Sequence, residues 1–82
     1  MEFRSLLITG GAGFVGSNLA MMFKIAFPDV PVYAVDNLKR RGSELRVSML
    51  QATGIEFLHA DVRCPEDLAV LPEFDLLIDC SA

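Results

Sequence analysis

The sequence predicts an α/β fold, a parallel sheet wound with helices on both faces, and three observations carry that prediction. Short apolar runs of strand length alternate with helix-period segments along all 82 residues, joined by short connections. A glycine-rich turn, Thr9-Gly10-Gly11-Ala12-Gly13-Phe14-Val15-Gly16, lies between the first such run and the first helix. An acidic residue, Asp36, closes the second strand, about twenty residues after the turn, the spacing that doubly wound nucleotide-binding sheets use.

Each element follows from local chemistry. Phe3-Arg4-Ser5-Leu6-Leu7-Ile8 reads as a buried parallel strand. Val15, Leu19, Met22, Phe23 and Ala26 recur at helical spacing before Pro28 ends the helix. Val32-Tyr33-Ala34-Val35 forms the second strand. Ser43 is a good N-cap for a helix carrying Leu45, Met49 and Leu50 to about Thr53, with Gly54 as its stop. Ile55-Glu56-Phe57-Leu58-His59 is the third strand, and Pro65 opens a short helix with Leu68 and Leu71 ahead of Pro72. Phe74-Asp75-Leu76-Leu77-Ile78-Asp79 is the fourth strand.

Right-handed crossovers place these strands in the order 3-2-1-4, just over half of a doubly wound sheet. The outer edge of strand four then lacks a neighbour and much of its apolar surface lacks cover. Residues 1–82 are therefore expected to be an incomplete domain, the N-terminal portion of a longer protein, prone to self-association through the uncovered sheet. The competing expectation is a minimal nucleotide-binding module.

The glycine turn and Asp36 together are the signature of a Rossmann dinucleotide site. Gly10, Gly13 and Gly16 share three jobs: a tight turn, close backbone approach to a pyrophosphate, and close packing of helix on sheet. The helix N-terminus offers unpaired N–H groups and partial positive charge to the phosphates. Asp36 would accept hydrogen bonds from the adenosine ribose hydroxyls. A P-loop is set aside because Gly16 is followed by Ser17 and Asn18 rather than Lys and Ser or Thr. A methyltransferase-type nucleotide site is the nearer rival, and the glycine spacing suits it less well than it suits a pyrophosphate.

Composition narrows the partners. A net charge of −4 offers no basic face for nucleic acid or anionic lipid. No apolar run approaches a membrane span and no signal-peptide pattern opens the chain. Cys64 and Cys80, without CxxC spacing, read as free thiols of a cytoplasmic protein. His59, the only histidine, reads as a half-buried structural residue at a strand end, and nothing near it supplies a metal set.

The run Thr9-Gly10-Gly11-Ala12-Gly13-Phe14-Val15-Gly16-Ser17 resembles the cofactor loop of extended short-chain dehydrogenase/reductases, in particular the NAD-dependent nucleotide-sugar epimerases and dehydratases. Asp36-Asn37-Leu38 is similar to their ribose-binding turn, and the longer string through Lys39-Arg40-Arg41-Gly42-Ser43-Glu44 is similar to that of the CDP-sugar epimerases. His59-Ala60-Asp61-Val62-Arg63 resembles the adenine-holding segment, and Leu77-Ile78-Asp79-Cys80-Ser81-Ala82 the strand end beside the cofactor, where the family commonly has a small-residue pair in place of Cys80-Ser81.

The resemblance implies that Gly10, Gly13 and Gly16 line the pyrophosphate of NAD, with Phe14 and Val15 presenting backbone N–H groups. By the same resemblance Asp36 binds ribose with Asn37 in support, Asp61 and Val62 recognise adenine, and Ser81 and Ala82 touch the nicotinamide half. The residue-level alternative for Asp61 is a turn aspartate ahead of the proline-started helix. Lys39, Arg40, Arg41 and Arg46 read either as a solvated loop and helix face or as a welcome for a 2′-phosphate. Asp36 would repel such a phosphate, so NAD is expected over NADP.

The family's Tyr-x-x-x-Lys pair is missing: Tyr33 has Asn37 four places on. These residues are therefore expected to supply the cofactor half of an epimerase and no catalytic residue, the nucleotide-sugar substrate being a partner only of a full-length parent. A dehydratase or reductase, and a non-catalytic NAD-binding module, remain alternatives.

Overall fold

The structure, a computed structural model, describes residues 4–38 and 43–80. Its elements run β1 (Leu6–Thr9), α1 (Phe14–Ala26), β2 (Val32–Asp36), α2 (Ser43–Ala52), β3 (Glu56–His59), α3 (Pro65–Ala69) and β4 (Leu76–Asp79). All strand pairs are parallel and the order is β3-β2-β1-β4, the 3-2-1-4 arrangement that the right-handed crossover rule predicts. Leu6 stands opposite Val32 on one side and Leu76 on the other.

Alternation along the strands divides the core in two. On one face Leu6, Ile8, Val32 and Ala34 meet Ala20 of α1, Leu50 of α2 and Ile55, all buried. On the other, Leu7, Val35 and Ala60 pack with the partly buried Tyr33, Leu58, Val62 and Leu71. That second face is thinner, because α3 is only five residues long and none of them is buried. It leaves a cavity of about 330 Å³ lined by Leu7, Val62, Leu68, Leu71, Phe74 and Leu77, with Thr9 and Asp79 at its polar end.

Several local readings shift. β1 begins at Leu6 rather than Phe3, which lies outside the described residues. Arg4 and Ser5 are not strand; their backbone N–H groups donate to the Asp75 carboxylate at 2.7 and 2.8 Å, and the Ser5 hydroxyl donates to the Glu73 carbonyl. The buried stripe of α1 is Gly16, Ser17 and Ala20, while Val15 and Met22, on the helical apolar period, are exposed. Small side chains are what let a helix axis lie close on a sheet, so the contact stripe follows size rather than hydrophobicity.

The end of α2 matches its sequence signal. Gly54 takes a positive φ of 89°, its N–H donates to the Gln51 carbonyl, and the Ile55 N–H reaches back to the Leu50 carbonyl. That bonding closes the helix in a Schellman motif, and its hydrophobic partners Leu50 and Ile55 are both buried. At the other end Ser43 is the first helical residue rather than the residue before the helix, a one-residue difference of the kind that fraying helix ends show. Its capping side chain lies outside the described residues, as do Lys39, Arg40, Arg41 and Gly42. His59 is exposed rather than half-buried, because β3 is an edge strand and the imidazole reaches the Asn37 carbonyl at its rim, Nε2 to O 3.1 Å.

Candidate cofactor site

The site is assembled at the carboxyl ends of β1 and β2, where the glycine turn leaves the sheet. Gly10 holds φ at 67°, a conformation that a β-carbon would strain by about 1 kcal/mol. Its carbonyl then accepts from the Gly13 N–H at 3.1 Å, tightening the turn. A β-carbon on Gly16 would lie 2.2 Å from that same carbonyl oxygen, well inside contact distance, so α1 can begin where it does only with glycine there. Gly11, to which sequence reasoning gave no separate job, is as constrained. Its N–H extends the ladder to the Val35 carbonyl, 3.0 Å, and a β-carbon would stand 2.6 Å from Ala34 Cβ.

Gly13 differs. Its backbone is extended, φ −78° and ψ 172°, and a β-carbon would meet only the Gly10 carbonyl oxygen, at 3.3 Å. That single contact is tight, and no other heavy atom beyond the chain neighbours and the helix's own backbone lies within 4 Å of the position. Gly13 is also the N-cap of α1, and no side chain caps that end. The N–H groups of the first helical turn have no intrahelical partner, so Phe14, Val15 and Gly16 direct theirs outward along the positive end of the helix dipole. The Phe14 and Val15 side chains are exposed beside them. The guanidinium of Arg46, on α2, lies over the Phe14 ring with Cζ 5.5 Å from its centroid.

Asp36 joins the turn to the end of β2. One carboxylate oxygen accepts from the Ala12 N–H at 2.9 Å, the other from the Leu38 N–H at 2.9 Å. The second bond holds Leu38 at φ 59°, the only positive φ outside glycine among the described residues. Each carboxylate oxygen has a further lone pair, and the side chain is only part-buried, so both remain able to accept from hydroxyls.

A small cleft of about 50 Å³ opens here, lined by Gly10, Val35, Asp36, Asn37, Ala60 and Val62. It brings together Gly10, Asp36, Asn37 and Val62 of the sequence-predicted set. Asp61 sits at its border in a turn. Its carboxylate accepts from the Arg63 backbone N–H at 2.9 Å and pairs with the Arg63 guanidinium at 3.1 Å. The hydrogen bond and charge of Asp61 together hold the Arg63 pKa above its ordinary value. The Asp61 N–H donates to Asp67 at 2.8 Å. This is the geometry of the turn aspartate that the sequence also allowed. Ser81 and Ala82 lie outside the described residues.

At the neighbouring strand ends the Thr9 hydroxyl donates to Asp79, which satisfies a hydroxyl buried in the sheet. Cys64 and Cys80 are free thiols, and the Cys64 thiol donates to Glu66, holding that carboxyl below its ordinary pKa. No helix among the described residues is long and apolar enough to cross a membrane.

A glycine turn with an uncapped helix end, and a carboxylate bound to that turn, fit a dinucleotide's pyrophosphate and ribose. Comparison with known proteins agrees. The family model for NAD dependent epimerases and dehydratases matches residues 6–82. The chain belongs to the NAD dependent epimerase/dehydratase family.

Within known members of this epimerase/dehydratase family, CDP-paratose 2-epimerase of Salmonella typhi is 43% identical over 67 residues, which is 80% of this chain and 19% of that protein. The crystal structure of Helicobacter pylori ADP-L-glycero-D-manno-heptose-6-epimerase superposes with a TM-score of 0.78 at 38% identity, over 95% of this chain and 26% of that one. The chain thus spans about a fifth to a quarter of the length of these epimerases. The family's cofactor is a nicotinamide dinucleotide, and the residues gathered at the glycine turn fit one.

Proposed function

We propose that this chain is the cofactor-binding portion of an NAD-dependent nucleotide-sugar epimerase, and that the parent reaction is C2 epimerisation of a CDP-sugar. The observation that carries the cofactor reading is the uncapped helix end at Gly13, where a single backbone oxygen approaches, with Asp36 anchored to the same turn. The substrate reading rests on the similarity to CDP-paratose 2-epimerase and on the string Asp36-Asn37-Leu38-Lys39-Arg40-Arg41-Gly42.

In this reading the N–H groups of Phe14, Val15 and Gly16 hold the pyrophosphate, and Asp36 holds the adenosine ribose with Asn37 beside it. Val62 packs under the adenine, with Asp61 fixing the segment that carries it, and Ser81 and Ala82 border the nicotinamide half. Asp36 selects NAD over NADP, because a carboxylate at the ribose repels a 2′-phosphate at short range. The nicotinamide group, when bound, supplies hydride removal and return at a sugar carbon. These residues bind and orient it, and the proton-transfer pair belongs to a part of the parent that this sequence does not contain. The thinly covered second face, with Leu77 and Phe74 exposed at β4, supports self-association of the chain.

Titration of NADH fluorescence tests the cofactor reading; with no tryptophan in the chain, nucleotide emission is read directly. Gly13→Val suits its backbone angles, since β-branched residues favour extended conformations, and its β-carbon requires the Gly10 carbonyl oxygen, 3.3 Å away, to give slightly while its side chain occupies the phosphate space. Binding weakened at least tenfold with an unchanged circular dichroism spectrum is expected. NADH binding equal to that of the unsubstituted chain would overturn the site.

A further inference from the structure

We infer that Arg46 is a second phosphate-binding group of this site, its guanidinium held over Phe14 to reach a phosphate oxygen of the bound dinucleotide. The inference rests on the dinucleotide reading above and goes beyond it, because that reading assigns the phosphates to backbone groups alone.

Three observations converge on Arg46. The first is its place: Cζ lies 5.5 Å from the centroid of the Phe14 ring, and Phe14 is the first residue of α1, next to its uncapped N-terminus at Gly13. The second is the way it is held. A guanidinium resting on an aromatic face is fixed in position without spending its N–H donors, and those donors form the fork that matches a phosphate. Among the described residues Arg46 makes no ion pair. Arg63, by contrast, is committed to Asp61.

The third observation is that Arg46 is out of place for α2 itself. It stands in the first turn of that helix, where a cation opposes the helix dipole. It also stands beside the N-terminus of α1, where a second positive charge is unfavourable until an anion arrives. The positive end of α1 and the guanidinium beside it are balanced by an anion better than by solvent. The aromatic ring of Phe14, exposed at 68%, likewise gains a role that packing does not give it.

The phosphate could be one of the pyrophosphate pair or, in a phosphorylated dinucleotide, the ribose 2′-phosphate. The test is titration of NADH and NADPH into the 82-residue chain, its Arg46→Met variant and its Arg46→Lys variant, at low and at high salt, with circular dichroism of each. Arg46→Met keeps the stem and removes the charge, and about a tenfold loss of affinity is expected, with a shallower salt dependence than the unsubstituted chain shows. Arg46→Lys restores part of the affinity and the salt dependence. Losses equal for NADH and NADPH identify the pyrophosphate as the contact, and a loss confined to NADPH identifies the 2′-phosphate. An Arg46→Met variant that is folded and binds both as tightly as the unsubstituted chain, with the same salt dependence, overturns the inference and leaves the dinucleotide reading intact. Absence of binding by the unsubstituted chain itself overturns both.

Discussion

Asp36 does two jobs that can be separated by mutation. Beyond any ligand, its carboxylate accepts from Ala12 in the glycine turn and from Leu38 beyond β2, each at 2.9 Å. It thereby ties the turn to the neighbouring strand before a cofactor arrives. A hydrogen bond to a charged group contributes about 1.5–3 kcal/mol, and the lower end applies because Asp36 is part-exposed. Two such bonds come to about 3 kcal/mol, of which water recovers a portion once the N–H groups are freed. Asp36→Ala is therefore expected to lose about 2 kcal/mol, and Asp36→Asn, which keeps one acceptor, about half of that. Against a total of about 4–12 kcal/mol for a chain of this size, the loss is large for a residue at the surface. Urea unfolding followed by far-ultraviolet circular dichroism measures it, with the slope m checked for constancy. An Asp36→Ala midpoint shift worth less than about 0.5 kcal/mol, the ordinary range for surface changes, would refute the idea that this carboxylate organises the turn.

Two further outcomes follow from the thinner parts of the fold. Asp75 accepts from the Ser5 and Arg4 N–H groups, and these bonds hold its pKa below the usual 3.8. A carboxyl depressed in the folded state stabilises fully above its unfolded pKa and loses that contribution as pH falls through the folded one. Acid unfolding of the unsubstituted chain should thus steepen below about pH 4, and Asp75→Asn should flatten that part of the curve; an identical acid limb in both would count against the clamp. The exposed apolar face at β4 should drive self-association, so sedimentation of the unsubstituted chain is expected above the monomer mass and of Leu77→Glu closer to it, whereas a monomeric chain removes that proposal.

Much of the architecture was legible because its signals are local and repeated. Strand order needed only four apolar runs, three intervening helices and the handedness of crossovers. The Gly54 stop and the Pro65 start were single-residue signals with one physical meaning each. What escaped depended on neighbours brought together by the sheet. Gly11 is required because Ala34 lies beneath it, a fact of β1–β2 register rather than of the motif. Val15 and Met22 follow the helical period yet face solvent, since the stripe nearest the sheet had to be small. Asp36 was readable as a ribose ligand, and its bond to Ala12 could have been anticipated from the adjacency of β1 and β2. Arg46 was visible only as one of a charge run; its pairing with Phe14 joins two helices that no sequence pattern links. Asp61 kept both of its readings, because a carboxylate that caps its own turn through Arg63 looks the same in sequence as one that awaits a base.

The most direct test of the central claim is a two-dimensional amide spectrum of the ¹⁵N-labelled chain titrated with NAD. If the chain holds the dinucleotide as described, the largest shifts fall on the amides of residues 10–17, 36–38 and 60–63, at the carboxyl ends of β1, β2 and β3. Shifts confined to the cavity under α3, around Leu71, Phe74 and Leu77, or no shifts at millimolar NAD, would contradict it.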